Sequence, residues 1–323
     1  MDTFIIAEAG ANHNKDFNQA LKLIDVAKES GASAVKFQTY SSETLYSKNT
    51  PDFAGYKNIN QLIKDIELPR EWQKDLKQYC DEIDIEFMST PFDEQAVDEL
   101  VNLGVKRLKI AGFESTDWRF VDMVASTGLP LIISLGIGFK KEYLSIIDSI
   151  VGRHNNKVTL LHCNNAYPTP ISDINLNTIP DLLKRTTYKV GLSDHTMSTL
   201  TPALAVAAGA TTIEKHFTLD KNLPGPDHAF ALEPDQLKEM IDEIIFAEVM
   251  MGTVKGKYSK SELNFTKTRR SIVAKTNIKK GDILTIDNMT TKRPYLEGNV
   301  AASEWFNTLG QTAIKNYKPD DFI

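Results

Sequence analysis

The feature of this chain that most restricts its fold is an eightfold alternation. Eight short apolar runs recur at residues 4–9, 34–39, 86–90, 107–111, 130–135, 158–163, 189–194 and 211–217. Amphipathic helical stretches follow them, among them 18–30, 71–83, 94–103, 118–126, 143–151, 200–208 and 235–249. The sixth connection, around 175–183, carries the weakest helical pattern. Strand-then-helix alternation implies a parallel sheet with crossover helices. Eight units in about 250 residues match a closed (β/α)8 TIM barrel. An open doubly wound sheet usually begins with a G-x-G-x-x-G turn; here the first turn reads Ala9-Gly10-Ala11-Asn12-His13-Asn14.

Two connections are longer than a barrel needs, 41–69 after the second strand and 218–234 after the eighth. Both leave the C-terminal ends of strands, where barrels place active sites, and long loops there often serve as lids. After Met251 the pattern changes. Residues 1–251 are expected to form the barrel, 252–267 a polar linker, and 268–323 a small β-rich domain with strand-like pieces at 271–274 and 283–285 around the turn Lys279-Lys280-Gly281-Asp282. A tail of that size is marginal by itself, so it is expected to pack on its own barrel or a partner's.

A net charge of −6 over 323 residues argues against nucleic acid as a partner. It leaves room for a small anion held by a few buried lysines. No apolar run approaches the length of a membrane span, and residues 1–4 lead into a strand with no basic segment of a signal peptide. The two cysteines, Cys80 and Cys163, have no metal spacing. A cytoplasmic location is the expectation.

Barrel strands are buried on both faces and should be almost wholly apolar. Yet the strand ends here carry Glu8, Lys36 with Gln38, Lys109, Ser193-Asp194-His195 and Glu214-Lys215-His216. Side chains alternate along a strand, so Lys36 shares a face with Gln38, and Glu214 with His216. Any one of these could be a satisfied core polar group; five strands doing so at the same end point to a site. Lys36 and Lys109, with Lys215 as a candidate third lysine, suit phosphate and carboxylate. The hydroxyls of Ser89, Thr90, Ser134 and Ser193, with Asn164 or Asn165, add neutral donors, a set that suits phosphoenolpyruvate. His195 and His216 on adjacent strands could hold one divalent metal with open positions for substrate. His13 and His228 lie on rim loops and are either exposed or substrate-facing; His154 reads as surface and His162 as core.

These segments carry a resemblance. The chain resembles the sialic acid synthase family through Ile6-Ala7-Glu8-Ala9-Gly10 with Asn12-His13-Asn14, Lys36-Phe37-Gln38-Thr39-Tyr40, Ser89-Thr90-Pro91-Phe92, Leu161-His162-Cys163-Asn164-Asn165 with Tyr167-Pro168-Thr169-Pro170, Gly191-Leu192-Ser193-Asp194-His195-Thr196, and Ile213-Glu214-Lys215-His216-Phe217-Thr218 with Gly225-Pro226-Asp227. The tail resembles that family's antifreeze-like (SAF) domain through Arg269-Arg270-Ser271, Ile278-Lys279-Lys280-Gly281-Asp282 and Lys292-Arg293-Pro294.

The resemblance implies condensation of phosphoenolpyruvate with an N-acetylated hexose aldehyde and water, giving a nonulosonic (sialic) acid and phosphate by metal-assisted, aldol-like chemistry with C–O cleavage. It implies His195 and His216 as metal ligands, with Mn2+ the usual ion and Mg2+ or Co2+ as alternatives. Lys36, Thr90, Lys109, Ser134, Asn165 and Ser193 match the phosphoenolpyruvate pocket. Gln38, Tyr167, Asp227 and Arg293 match groups around the sugar, and Glu8, Glu114 and Glu214 match acidic residues near the reacting atoms. A domain-swapped homodimer is implied, with Arg293 reaching the neighbour's sugar. N-acetylmannosamine is the first expected sugar. Departures at Lys109-Ile110-Ala111-Gly112-Phe113-Glu114, Ser134-Leu135-Gly136-Ile137 and Arg293-Pro294-Tyr295 leave the exact sugar open, and Phe113-Glu114-Ser115-Thr116-Asp117 with Asp227-His228-Ala229-Phe230 partly resembles synthases that use diacetamido sugars, so a 2,4-diacetamido-2,4,6-trideoxyhexose is the alternative. Two rivals from other classes are a Schiff-base aldolase using Lys36, Lys109 or Lys215, and a non-catalytic sugar-binding or ice-binding protein.

Overall fold

The structure, a computed structural model, describes residues 3–52, 57–154, 157–256 and 258–323. Positions 53–56 of the long second connection and Lys257 of the expected linker lie outside the described residues. The chain divides into two compact units, 1–252 and 253–323.

In the first unit the strands are β1 (Phe4–Gly10), β2 (Ala34–Thr39), β3 (Glu86–Pro91), β4 (Leu108–Ile110), β5 (Leu131–Leu135), β6 (Val158–Cys163), β7 (Lys189–Asp194) and β8 (Thr212–His216). All pair in parallel in the order β3-β2-β1-β8-β7-β6-β5-β4, and β3 lies beside β4. This is the (β/α)8 barrel the alternation implied. Around it run α1 (Phe17–Ser30), α2 (Ile59–Ile66), α3 (Trp72–Glu82), α4 (Glu94–Leu103), α5 (Trp118–Ala125), α6 (Leu144–His154), α7 (Thr178–Arg185), α8 (Leu200–Ala207) and α9 (Pro234–Met251). Local chemistry sets their ends. Asp16 caps α1 by accepting from the amides of Asn18 and Gln19, and Gly31 closes it in the left-handed region at φ 94°. Pro234 opens α9 inside a capping box between Glu233 and Gln236.

Strand alternation sorts the core. Outward-facing residues such as Ile5, Ala7, Val35, Phe37, Phe87 and Ile133 pack under the helices in the main apolar cluster. Inward-facing Ile6, Ala34, Met88, Ile132 and Leu161 form a separate small cluster. They plug the N-terminal part of the barrel, as the filled interior of this fold requires. Two residues further along β1, β2, β3, β5, β7 and β8 the inward positions are polar, with Glu8, Lys36, Thr90, Ser134, Ser193 and Glu214 all buried.

The second connection is not a plain loop: it contains α2. Its apolar residues Ile59, Leu62, Ile63 and Ile66 follow the i, i+3, i+4, i+7 pattern. They join Tyr40, Leu45, Tyr46 and Phe92 in a cluster of their own.

In the second unit, residues 260–268 of the expected linker form 3-10 turns rather than open chain. Strand β9 (Ser271–Ala274) pairs antiparallel with β10 (Met289–Lys292). The expected piece at 283–285 is not a strand; Ile283 makes a single bridge to Thr312. The unit has a small apolar core of its own, built on Ile272, Ile278, Leu284, Met289 and Tyr317.

Candidate active site

The polar layer opens at the C-terminal end of the barrel into two connected spaces. The inner cleft, about 40 Å3, is lined by Glu8, Lys36, Thr90, Lys109, Ser134, Cys163, Asn165, Ser193, His195 and Glu214 among others. The outer chamber, about 450 Å3, is walled by Tyr40, Leu45, Tyr46, Leu62, Ile63, Ile66, Phe92, Phe113, Pro226, Asp227 and Phe230. Gln38, Tyr167 and His216 border both.

In the cleft, Lys36 Nζ lies 2.7 Å from Glu8 Oε2 and 3.6 Å from Glu214 Oε2, and donates to Thr90 Oγ1 at 2.9 Å. Lys109 Nζ lies 3.6 Å from Glu214 Oε1, which also accepts from Ser193 Oγ at 3.1 Å. Gln38 Nε2 donates to Glu8 Oε1 at 2.7 Å. Burial pushes the Glu8 carboxyl up to about 7 against the pull of Lys36. Burial would raise Glu214 too, but Lys109 and Lys36 outweigh it and hold it below the usual carboxylate range. Burial lowers Lys109 despite Glu214, whereas Glu214 and Glu8 more than offset burial at Lys36 and raise it. Ser134 Oγ is buried without a hydrogen-bond partner. Buried polar atoms normally find partners, so this cleft is set up to receive one.

Asn165 is wedged in by two glycines. Its Oδ1 accepts from the Ile137 amide at 2.7 Å, and a Cβ on Gly136 would stand 2.0 Å from that oxygen. On the other wall Gly10, at φ +51°, lets Asp227 approach; a Cβ there would meet Asp227 Oδ2 at 2.8 Å. Asp227 Oδ2 accepts from the Ala11 amide at 3.4 Å, and burial raises its pKa.

The two histidines meet at the mouth, with ring centroids 5.4 Å apart and the Tyr167 ring 4.2 Å from that of His195. His195 Nδ1 is tied to the Asn164 carbonyl at 2.6 Å, which leaves Nε2 to carry the lone pair. His216 Nδ1 is buried with no hydrogen-bond partner. Burial pushes both imidazoles down, His216 well below its ordinary range, so both are neutral near pH 7. Two neutral imidazoles, one of them orphaned, fit a divalent cation. Among the described residues no group of three or more His, Cys, Asp or Glu is placed to hold one; the remaining positions would go to water or substrate oxygens.

Several expectations need correction. Lys215 does not enter the cleft: it faces outward and pairs with Asp194 at 2.6 Å. It is removed both as a phosphate binder and as a Schiff-base lysine. Ser89 also faces outward and pairs with Thr39 at 2.7 Å. Between Asn164 and Asn165, only the latter lines the cleft; the Asn164 side chain serves its own loop, donating to the Asp173 carbonyl. His13 and His228 are buried and structural rather than rim groups. His13 packs between Phe37 and Trp72, and His228 bonds Thr218 at 2.6 Å. His154 sits beside Asp122 at 3.0 Å, and His162 bonds the Ile174 carbonyl at 2.6 Å. Glu114 lines neither space. Burial pushes it up to about 7, with Lys109 and Asp117 as its charged neighbours. Arg293 lies exposed on the second unit. The apolar wall of the chamber was missed; the periodicity of 59–66 was its signal.

A barrel whose mouth joins a lysine- and hydroxyl-lined cleft to a neutral histidine pair has the groups of an anion-handling enzyme of the (β/α)8 class. Comparison with known proteins gives the family. Residues 23–256 match the NeuB family and residues 269–323 the SAF domain. The chain is 41% identical to an N,N'-diacetyllegionaminic acid synthase of Legionella pneumophila, over 98% of this chain and 92% of that one. It is 40% identical to an N,N'-diacetyllegionaminic acid synthase of Campylobacter jejuni, over 99% and 98%. A crystal structure of N-acetylneuraminic acid synthetase from Leptospira borgpetersenii superposes with a TM-score of 0.76 at 34% identity, covering 82% of this chain and 90% of that one. The chain belongs to the NeuB family.

Proposed function

We propose that the protein condenses phosphoenolpyruvate with the open-chain aldehyde of an N-acetylated amino sugar and water, releasing a nonulosonic acid and inorganic phosphate. The observation that carries this reading is the juxtaposition in one barrel mouth of Lys36, Lys109 and an unpartnered Ser134 hydroxyl with the His195–His216 pair. Lys36 and Lys109 neutralise the phosphate and carboxylate; Thr90, Ser134, Ser193 and Asn165 donate to their oxygens. The donor C3 methylene bonds to the aldehyde carbon, water adds at C2, and the C2–O bond to phosphate breaks, with phosphate leaving as the anion those donors already hold. Glu8 and Glu214 handle the protons: the water gives up one as it adds at C2 and the second as C2 becomes the keto carbon, and of these one reaches the aldehyde oxygen and the other leaves on the phosphate. His195 and His216 would hold a divalent cation, Mn2+ foremost, which when bound supplies Lewis-acid polarisation of the aldehyde. A cytoplasmic location is part of this proposal, supported by the consumption of phosphoenolpyruvate. We further propose a homodimer in which Arg293 of one copy serves the sugar chamber of the other.

Gln38, Tyr167 and Asp227 border the sugar. Two aldehydes suit this chemistry, N-acetylmannosamine and a 2,4-diacetamido-2,4,6-trideoxyhexose. The apolar chamber wall, with Leu45, Leu62, Ile63 and Ile66, favours the second. A C6 methyl and a second acetamido methyl bury there, where a C6 hydroxyl would lose its water. The names of the two similar synthases support the same choice. Phosphate release from phosphoenolpyruvate, measured with each aldehyde and with none, tests both levels. Release with either aldehyde supports the reaction, and a higher kcat/KM for the diacetamido sugar supports the second reading. Aldehyde-independent release or none refutes the function.

A further inference from the structure

One buried, heavily tied polar cluster in the barrel wall takes no part in the chemistry above. Asp194 sits between Ser193 and His195 at the end of β7, Lys215 between Glu214 and His216 on β8, and the two are register partners. Their side chains point away from the cleft. Lys215 Nζ lies 2.6 Å from Asp194 Oδ2 and also donates to the carbonyls of Thr196 and, at 3.2 Å, Ser198. Asp194 accepts in turn from the Thr196 amide at 2.9 Å and the Thr196 hydroxyl at 3.1 Å. Asp194 and Thr196 are 0% exposed and Lys215 is 1% exposed.

For stability alone this cluster is a poor device. A buried ion pair roughly offsets its own desolvation, and apolar residues of similar size commonly serve packing as well or better. Its geometry fits another task. It cross-links β7 to β8 at the level of the two histidines and fixes the backbone on both sides of His195. A cation site with only two protein ligands has no third or fourth side chain to enforce its geometry. The spacing of the imidazoles must come from the backbone that carries them, and useful spacing is held to about half an ångström. We propose that Asp194 and Lys215 are positioning residues, which set the separation of His195 and His216 and so tune affinity for the divalent cation. This rests on the metal reading above.

The test is Mn2+ affinity of the full-length, chelator-treated protein, read from the electron paramagnetic resonance signal of free Mn2+. The variants are Asp194→Asn, Lys215→Met, the double variant, His216→Ala and a control, Glu86→Gln. The control breaks the Glu86–Arg107 pair (2.7 Å) at the opposite end of the barrel. Loss of the ties should weaken Mn2+ binding about tenfold or more, the usual effect of removing groups that orient metal ligands. The double variant should recover thermal stability relative to either single, because no charge is left alone, without recovering affinity. The control should lose stability and keep wild-type affinity. Where a single variant fails to fold, the double carries the measurement. Folded variants binding Mn2+ within about twofold of wild type overturn the proposal. A wild type that binds no Mn2+, or a His216→Ala protein that binds it as wild type does, overturns the metal reading first and this proposal with it.

Discussion

Lys36 and Glu8 face each other across adjacent parallel strands as register partners, with Nζ 2.7 Å from Oε2. The lysine that would bind the donor's anion therefore already has a carboxyl partner, and it also stands 3.6 Å from Glu214. From sequence, Lys36 and Lys109 look equivalent, each a cation awaiting an anion. Their surroundings separate them: Lys36 touches two carboxylates, and among the described residues Lys109 has only Glu214 within ion-pair distance.

Lys36→Met should weaken the fold as well as donor binding, since it leaves Glu8 and Glu214 buried without their shared cation. Breaking a buried pair from one side costs about 3–5 kcal/mol. Lys109→Met should fold with less penalty and raise KM for phosphoenolpyruvate by roughly 10- to 100-fold, the worth of one charge-assisted contact. Thermal melting and donor titrations of both variants check this; equal melting temperatures would count against the asymmetry.

Glu114 gives a pH test. Burial lifts its carboxyl from 4.5 to about 7 in the folded protein. The folded state thus binds this proton more tightly than the unfolded state does. The stability tied to it is full below pH 4.5 and is lost as pH rises through 7. Glu114→Gln removes the titration. Relative to that variant, wild type should lose about 2–3 kcal/mol between pH 5 and pH 8. Urea unfolding of both proteins at the two pH values measures it, and parallel pH profiles would refute it.

Gly136→Ala should act through Asn165. The new Cβ would stand 2.0 Å from Asn165 Oδ1 and 2.7 Å from the Gly112 Cα, and backbone cannot yield there. Displacing the amide removes one donor to phosphoenolpyruvate, so KM for that substrate should rise about tenfold. Isothermal titration with phosphoenolpyruvate alone checks it; unchanged affinity in a folded variant would remove Asn165 from the donor site.

Arg293 tests the dimer. A mixture of His216→Ala and Arg293→Ala chains, after verified subunit exchange, should regain part of the activity that each lacks. One hybrid site then pairs an intact barrel with an intact second unit. A mixture that stays inactive would place the arginine in its own chain's site.

The barrel was legible because its signal is periodic and repeated: each strand recurs with its helix, and the polar ends break an apolar rule at one rim. The site was legible where two residues shared a strand face, as Lys36 with Gln38 and Glu214 with His216. What misled was polarity on the other face. Lys215 and Ser89 are polar and buried like their neighbours, but alternation turns them outward, where Asp194 and Thr39 receive them. Alternation applied strictly from His216 would have excluded Lys215. Helix α2 was hidden by length: eight residues inside a long polar connection give little to average, although its four apolar positions lie on one face. Glu114 shows the opposite limit, because no local pattern tells a buried carboxyl beside the cleft from one lining it.

The proposed condensation expels phosphate by breaking the C–O bond of phosphoenolpyruvate. The direct measurement uses donor labelled with oxygen-18 in the bridging position, the diacetamido aldehyde and Mn2+, with both products analysed by mass spectrometry. The expected result is one phosphate per nonulosonic acid, with the label in the phosphate, and neither product without the aldehyde. Unlabelled phosphate, or phosphate formed without a nonulosonic acid, would contradict the account.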